Sequence, residues 1–205
     1  MKMTSQSLNF STLDFVDIIG VATKSVSLRS QGSLLVLLGG CGATATKPEA
    51  MAVDAHETQR YETILGSIYV IVEGGNETSS AGTSQISNSD FRSAIVDSIK
   101  ATTLFETTAD DSSEASYVLH ASIIDVEQPS FGFSMTVTIE VAWSLGNKSE
   151  DRPIWRSSHV STYTASAGEA FAGVTRLRLA TEGAAKQNIT WALKTISEDD
   201  NVGVD

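Results

Sequence analysis

The stretch from Phe131 to Leu145 constrains the fold more than any other part of the chain. Phe131, Phe133, Met135, Val137, Ile139, Val141, Trp143 and Leu145 alternate with Gly132, Ser134, Thr136, Thr138, Glu140, Ala142 and Ser144. Successive side chains of a strand point to opposite faces, so this alternation predicts a long strand with one face dry and one wet. A sheet with one dry face needs a covering layer, and the rest of the chain has to supply it. The wet side, bearing Ser134, Thr136, Thr138 and Glu140, is left as the candidate interaction face.

The flanking sequence supplies three more strands. "ILGSIYVIVEGGNE" has apolar residues on both faces and ends in a Gly74-Gly75-Asn76 turn signal, which suits a central strand. "ASYVLHASIIDVEQ" alternates Tyr117, Leu119, Ala121 and Ile123 with Val118, His120, Ser122 and Ile124, and "RPIWRSSHVSTYTAS" follows the "NKSED" turn. Short connections predict that the last three strands form an antiparallel meander. Two stretches carry the helical period instead. In "SNSDFRSAIVDSIKATTLF", Phe91, Ile95 and Ile99 recur beside Ala94, Ser98 and Thr102, with Ser87 or Asn88 as cap and Asp90 at the positive end of the dipole. In the second, Val174, Leu177, Thr181 and Ala184 lead into Ala185, Ile189, Ala192, Leu193 and Ile196. Gly183 interrupts that helix at about 1 kcal/mol relative to alanine, which points to a close approach by a neighbouring element. The predicted fold is α+β: a four-stranded, mostly antiparallel sheet with two helices on one face, in the order β-α-β-β-β-α, over residues 61–197. An acidic tail occupies residues 198–205.

The N-terminal part has a different character. The only cysteine among the 205 residues, Cys41, closes a short apolar run and is followed by small residues. Leu34 to Leu38 is far below the ~20 residues of a membrane-spanning helix, but a signal peptide needs only about 7–15 apolar residues behind positive charge, supplied here by Lys24 and Arg29. Leu38-Gly39-Gly40-Cys41 resembles a bacterial lipobox, with cleavage between Gly40 and Cys41 and lipid attached to the thiol. Residues 1–41 then form a leader whose translation start lies further along, at Val21 or Val26. Residues 42–60, small and polar at first, form a flexible tether. The alternative is a buried strand from Leu34 to Leu38 beside a free thiol.

Charge and residue pattern exclude several classes of function. The net charge is −11, and losing three basic and two acidic leader residues makes it −12, which opposes binding to a phosphate backbone and so to nucleic acid. A single cysteine allows no internal disulfide. His56, His120 and His159 have no metal-ligand spacing; His120 and His159 lie on different strands that can face each other across the sheet, although structural histidines are the commoner reading. No Gly-x-Ser-x-Gly elbow is present, and "GEAFAG" lacks the lysine of a phosphate loop. The triplets at Asn76, Asn147 and Asn188 match glycosylation sequons of the kind that arise by chance. Trp143, Trp155 and Trp191 read as core. No catalytic residue, cofactor or metal is expected.

With these stretches in hand, the chain resembles the small α/β envelope lipoproteins of Gram-negative bacteria: the lipopolysaccharide-assembly lipoprotein type, the YajG type and the auxiliary lipoproteins of lipid-transporting ABC systems. The lipobox cysteine, the tether, "FRSAIVDSIKATTLF" followed by "ASYVLHASI", and "RLATEGAAKQNITWAL" carry the resemblance, which covers residues 60–197 as architecture. It implies a non-catalytic binding or assembly subunit, anchored in the membrane by lipid, facing the periplasm and holding an envelope protein or lipid partner. Gly42 in place of aspartate after the cysteine implies sorting to the outer membrane. The alternative from another class is a small soluble hydrolase with an unmodified Cys41.

Overall fold

In the computed structural model, residues 45–54, 60–78 and 84–202 are described. The lipobox residues Gly40 and Cys41, the rest of the leader, and residues 203–205 of the acidic tail lie outside them.

Five strands form one sheet in the order β2-β1-β3-β4-β5. They are β1 (Ile64–Glu73), β2 (Phe105–Thr108), β3 (Tyr117–Glu127), β4 (Met135–Asn147) and β5 (Pro153–Ala165). Two long helices, α2 (Asn88–Thr102) and α3 (Gly173–Ser197), cover one face, and a short α1 (Pro48–Met51) packs beside both. The expected meander is present, since β3, β4 and β5 pair antiparallel. The sheet as a whole corrects the expectation of four mostly antiparallel strands: it is mixed and has a fifth member. β1 runs parallel to both of its neighbours, β2 and β3. Parallel strands ordinarily need a crossover of a dozen or more residues. Residues 109–116 suffice between β2 and β3 because both Thr108 and Tyr117 sit opposite Ile68 on β1. One strand stops at the level where the other starts.

α2 begins where its cap chemistry places it: the Ser87 hydroxyl accepts from the Asp90 N–H at 3.0 Å. Phe91, Ala94, Ile95 and Ile99 form its buried stripe. The hydroxyls of Ser98 and Thr102, also buried, donate back to Ala94 O and Ser98 O within the helix, which removes the cost of unmet polar groups in the core. The helix stops at Thr103, whose φ of 55° is left-handed. The chain then turns back as β2, which the helical period of Ile95 and Ile99 had hidden.

α3 buries Leu177, Ala180, Ala184, Ala185, Ile189, Ala192, Leu193 and Ile196. Its small side chains bring it close to the sheet, and Gly183 shows why: an added Cβ would lie 2.5 Å from the Tyr163 ring of β5. Inside, Trp143 meets Phe91 with ring centroids 6.0 Å apart, so one cluster runs from β2 to β5.

Three further expectations change. Phe131 and Phe133 continue the alternation of β4 in sequence, yet they are 88% and 91% exposed. β4 begins only at Met135, because the backbone has left the sheet in the connection from β3. Residues 45–54, assigned to the flexible tether, dock on the helices. Met51 and Val53 are buried, the Val53 N–H donates to Ser98 Oγ, and the Lys47 N–H donates to Glu182 Oε1 at 2.9 Å. Beyond α3, Val202 packs on the core, so the packed domain extends into the acidic tail.

Glu182, 2% exposed, has a second partner in Arg178 at 3.1 Å. Burial pushes its carboxyl above its ordinary value, and the Lys47 N–H and Arg178 offset this in part. A raised folded-state pKa means that protonation favours the folded form. The resulting stability is fully present below the ordinary glutamate value and is lost as pH rises through the raised one. Glu182→Gln keeps an acceptor for Lys47 and cannot titrate. Unfolding curves taken upward from about pH 4 are expected to show that this part of the decline is missing in the variant, and parallel curves for the two proteins would exclude the linkage.

Candidate functional site

The strand directions gather three connections at one end of the sheet: β1 to α2, β3 to β4, and β5 to α3. Side chains and backbone lock these loops together. Arg176, in the first turns of α3 and only 8% exposed, donates to Ala170 O at 2.8 Å, Phe171 O at 2.7 Å and Gly132 O at 3.2 Å. Its charge is met by three carbonyl dipoles, and one guanidinium holds two loops. The Gln128 side-chain amide donates to Ser84 O, which ties the β3–β4 connection to the β1–α2 connection. Glu169, on the surface, accepts from the Ser166 N–H at 2.6 Å and the Tyr163 hydroxyl at 3.2 Å. These bonds, those from Ser166 foremost, hold its carboxyl below its ordinary value. Phe131, Phe133 and Phe171 are left outside, Phe171 fully so at 101% exposure.

The second feature is a groove of about 600 Å³ along the outer side of α3. Leu179, Gly183, Trp191 and Tyr163 line it, with Glu182, Lys186 and Lys194 among its charged members. Trp191 is fixed from below by stacking on His159 at 4.2 Å, with the rings 5° from parallel. Burial lowers the His159 pKa, which favours the neutral ring. Trp191 is therefore half-buried and lines the groove, whereas Trp143 and Trp155 are core.

The residues singled out from sequence separate between the two faces. Thr136, Thr138 and Glu140 lie on the helix-free side, whereas Ser134, expected with them, precedes β4 in the connection from β3 and is not part of the sheet. Thr136 and Thr138 exchange hydroxyl bonds with Thr164 and Thr162 at 2.9 and 3.0 Å, and Glu140 accepts from Ser158 at 3.2 Å. These pairs are a cross-strand ladder between β4 and β5. His120 is exposed on that same side, paired in register with Ser144, while His159 is on the helix side, so the two histidines do not meet. Among the described residues no three His, Cys, Asp or Glu side chains gather as metal ligands, and no helix is long and apolar enough to cross a membrane. Asn188, in one of the sequon triplets, is fully buried.

Sequence reasoning missed Phe131, Phe133, Phe171 and Arg176. Pro129-Ser130 before the first two phenylalanines, and the small residues around Phe171, were the available turn signals.

No family model matches the chain, and no curated protein sequence matches it. Solved structures do. Protein XCC0632 from Xanthomonas campestris, of family model DUF330, superposes with a TM-score of 0.52 at 15% identity, over 78% of this chain and 98% of that one. The hypothetical protein CT253 from Chlamydia trachomatis reaches 0.49 at 8% identity, over 64% and 95%. A minor lipoprotein from Acinetobacter baumannii reaches 0.41 at 5% identity, over 64% and 92%. At 15% identity the likeness to the Xanthomonas protein is one of fold.

Proposed function

We propose that the protein is a non-catalytic binding or assembly subunit of the bacterial cell envelope, anchored by lipid on Cys41 at the outer membrane and facing the periplasm. The observation that carries the binding role is the groove along α3. It is lined by Leu179, Tyr163 and Trp191 together with Lys186 and Lys194 and braced by the His159–Trp191 stack, which suits an elongated partner with apolar and charged parts, whether an envelope protein or a lipid. The anchor rests on Leu38-Gly39-Gly40-Cys41 and the small residues behind it. Acyl chains in the number a bacterial lipoprotein carries hold a protein stably where one would not. Gly42 at the position after the cysteine supports retention at the outer membrane.

Metabolic labelling with a palmitate analogue tests the anchor. Label is expected on the wild type and not on Cys41→Ala; an unlabelled wild type would remove the anchor and leave a soluble protein with a free thiol. For the binding role, a photo-crosslinking side chain at Gln187, in the groove, is expected to capture an envelope component that the same probe at Ser149, in the β4–β5 turn, does not. Equal capture from both positions would reject the groove.

A further inference from the structure

We infer that the loops bearing Phe131, Phe133 and Phe171 are the surface on which the domain meets a lipid bilayer. This rests on the reading of Cys41 as lipid-modified, and adds to it an orientation and a contact. Three phenylalanines exposed by 88%, 91% and 101% are the most exposed large apolar side chains among the described residues, and all three are at the same end of the sheet. Isolated surface apolar residues need no explanation; a set held together by a buried arginine that bonds both loops does.

The path of the chain identifies what covers them. Thr46 is fixed at that end, its hydroxyl donating to Gln85 O, and the adjacent Ser84 O accepts from Gln128 at the base of the Phe131 loop. Further along, Val53 is held against Ser98 and Tyr61 against Thr102, and β1 starts at the opposite end of the sheet. From Cys41 to Thr46 a fully extended chain covers at most ~18 Å. β4, with 13 residues, runs roughly 43 Å. An acylated Cys41 therefore cannot let the β4–β5 turn face the membrane closely while the phenylalanine end points away. The chemistry of the Phe131 loop agrees, because residues 128–134 carry no charge; the Phe171 loop has one carboxylate, Glu169, which is bonded to Ser166 and Tyr163. Aromatic side chains such as Phe131 and Phe133, on a loop without charge, partition to the headgroup and acyl boundary.

The test uses the full-length acylated protein reconstituted in vesicles of phosphatidylethanolamine and phosphatidylglycerol. Lipid occupies Cys41, so Phe131→Cys, Phe171→Cys and Ser149→Cys each offer one thiol for a polarity-sensitive fluorophore. Expected are a blue shift and a loss of iodide quenching at 131 and 171, with neither change at 149. Mass spectrometry of the mature N-terminus is read on the same samples. Acylated protein whose 131 and 171 labels are quenched as freely as 149 overturns this inference and leaves the anchor standing. Labels shielded in native envelopes but not in pure lipid vesicles assign the loops to a protein partner, and also overturn it. Protein without acyl groups on Cys41 removes the anchor and this orientation with it.

Discussion

Asn188→Ala is expected to lower the stability of the domain by about 3 kcal/mol, which for a unit of this size is roughly 6–12 °C in Tm. Asn188 has no exposed surface, and its amide joins three elements. Its Oδ1 accepts from the Trp143 indole N–H of β4 at 2.9 Å, and its Nδ2 donates to His159 O and Ser161 Oγ of β5, both at 3.0 Å. Ser161 keeps a partner in the Ala184 carbonyl when the amide is gone. Trp143, itself 2% exposed, does not. A buried donor left without its acceptor costs about 1–3 kcal/mol, and the space vacated by the amide adds a cavity term. Urea or thermal unfolding measures the loss. Trp143→Phe removes the orphaned N–H, so in the Asn188→Ala background it should cost less than it does alone, a coupling that a double-mutant cycle reads directly. A loss below about 1 kcal/mol, or strict additivity, would show that the indole finds another partner.

For Arg176→Ala the expected effect is of similar origin but local. The guanidinium satisfies Ala170 O, Phe171 O and Gly132 O, and so joins the β3–β4 loop to the β5–α3 loop. Hydrogen bonds from a charged donor contribute about 1.5–3 kcal/mol each when buried. Water recovers part of this at a domain end, and removing the cation relieves its desolvation, so the net loss is placed at about 2 kcal/mol. Amide exchange across residues 130–134 and 167–172 should accelerate by roughly thirty-fold, while the strands keep their protection. Arg176→Lys should not restore it, because one ammonium cannot present two donors in a planar fork to separate loops. Unchanged exchange in both variants would mean that the loops are held by their own backbones.

The sequence by itself determined which side of α2, α3 and β4 is dry. Alternation from Met135 to Leu145, the four-residue recurrence of Phe91, Ile95 and Ile99, the Ser87 cap and the interruption at Gly183 all reappear in three dimensions, because each depends only on the repeat of the backbone and on groups within a turn of one another. The tertiary structure decided what those repeats do not encode. The direction of β1 relative to β2 and β3 is set by long-range pairing, and four residues of β2 after a left-handed Thr103 are too few to establish a period. Alternation ran on through Phe131 and Phe133, but the backbone there turns away to be held by an arginine more than forty residues later. Polar composition made residues 42–60 look unattached, whereas Met51 and Val53 have sites on helices that only the folded chain brings together. Local chemistry fixes the face a side chain occupies; the neighbour waiting at that face is chosen by contacts distant in sequence.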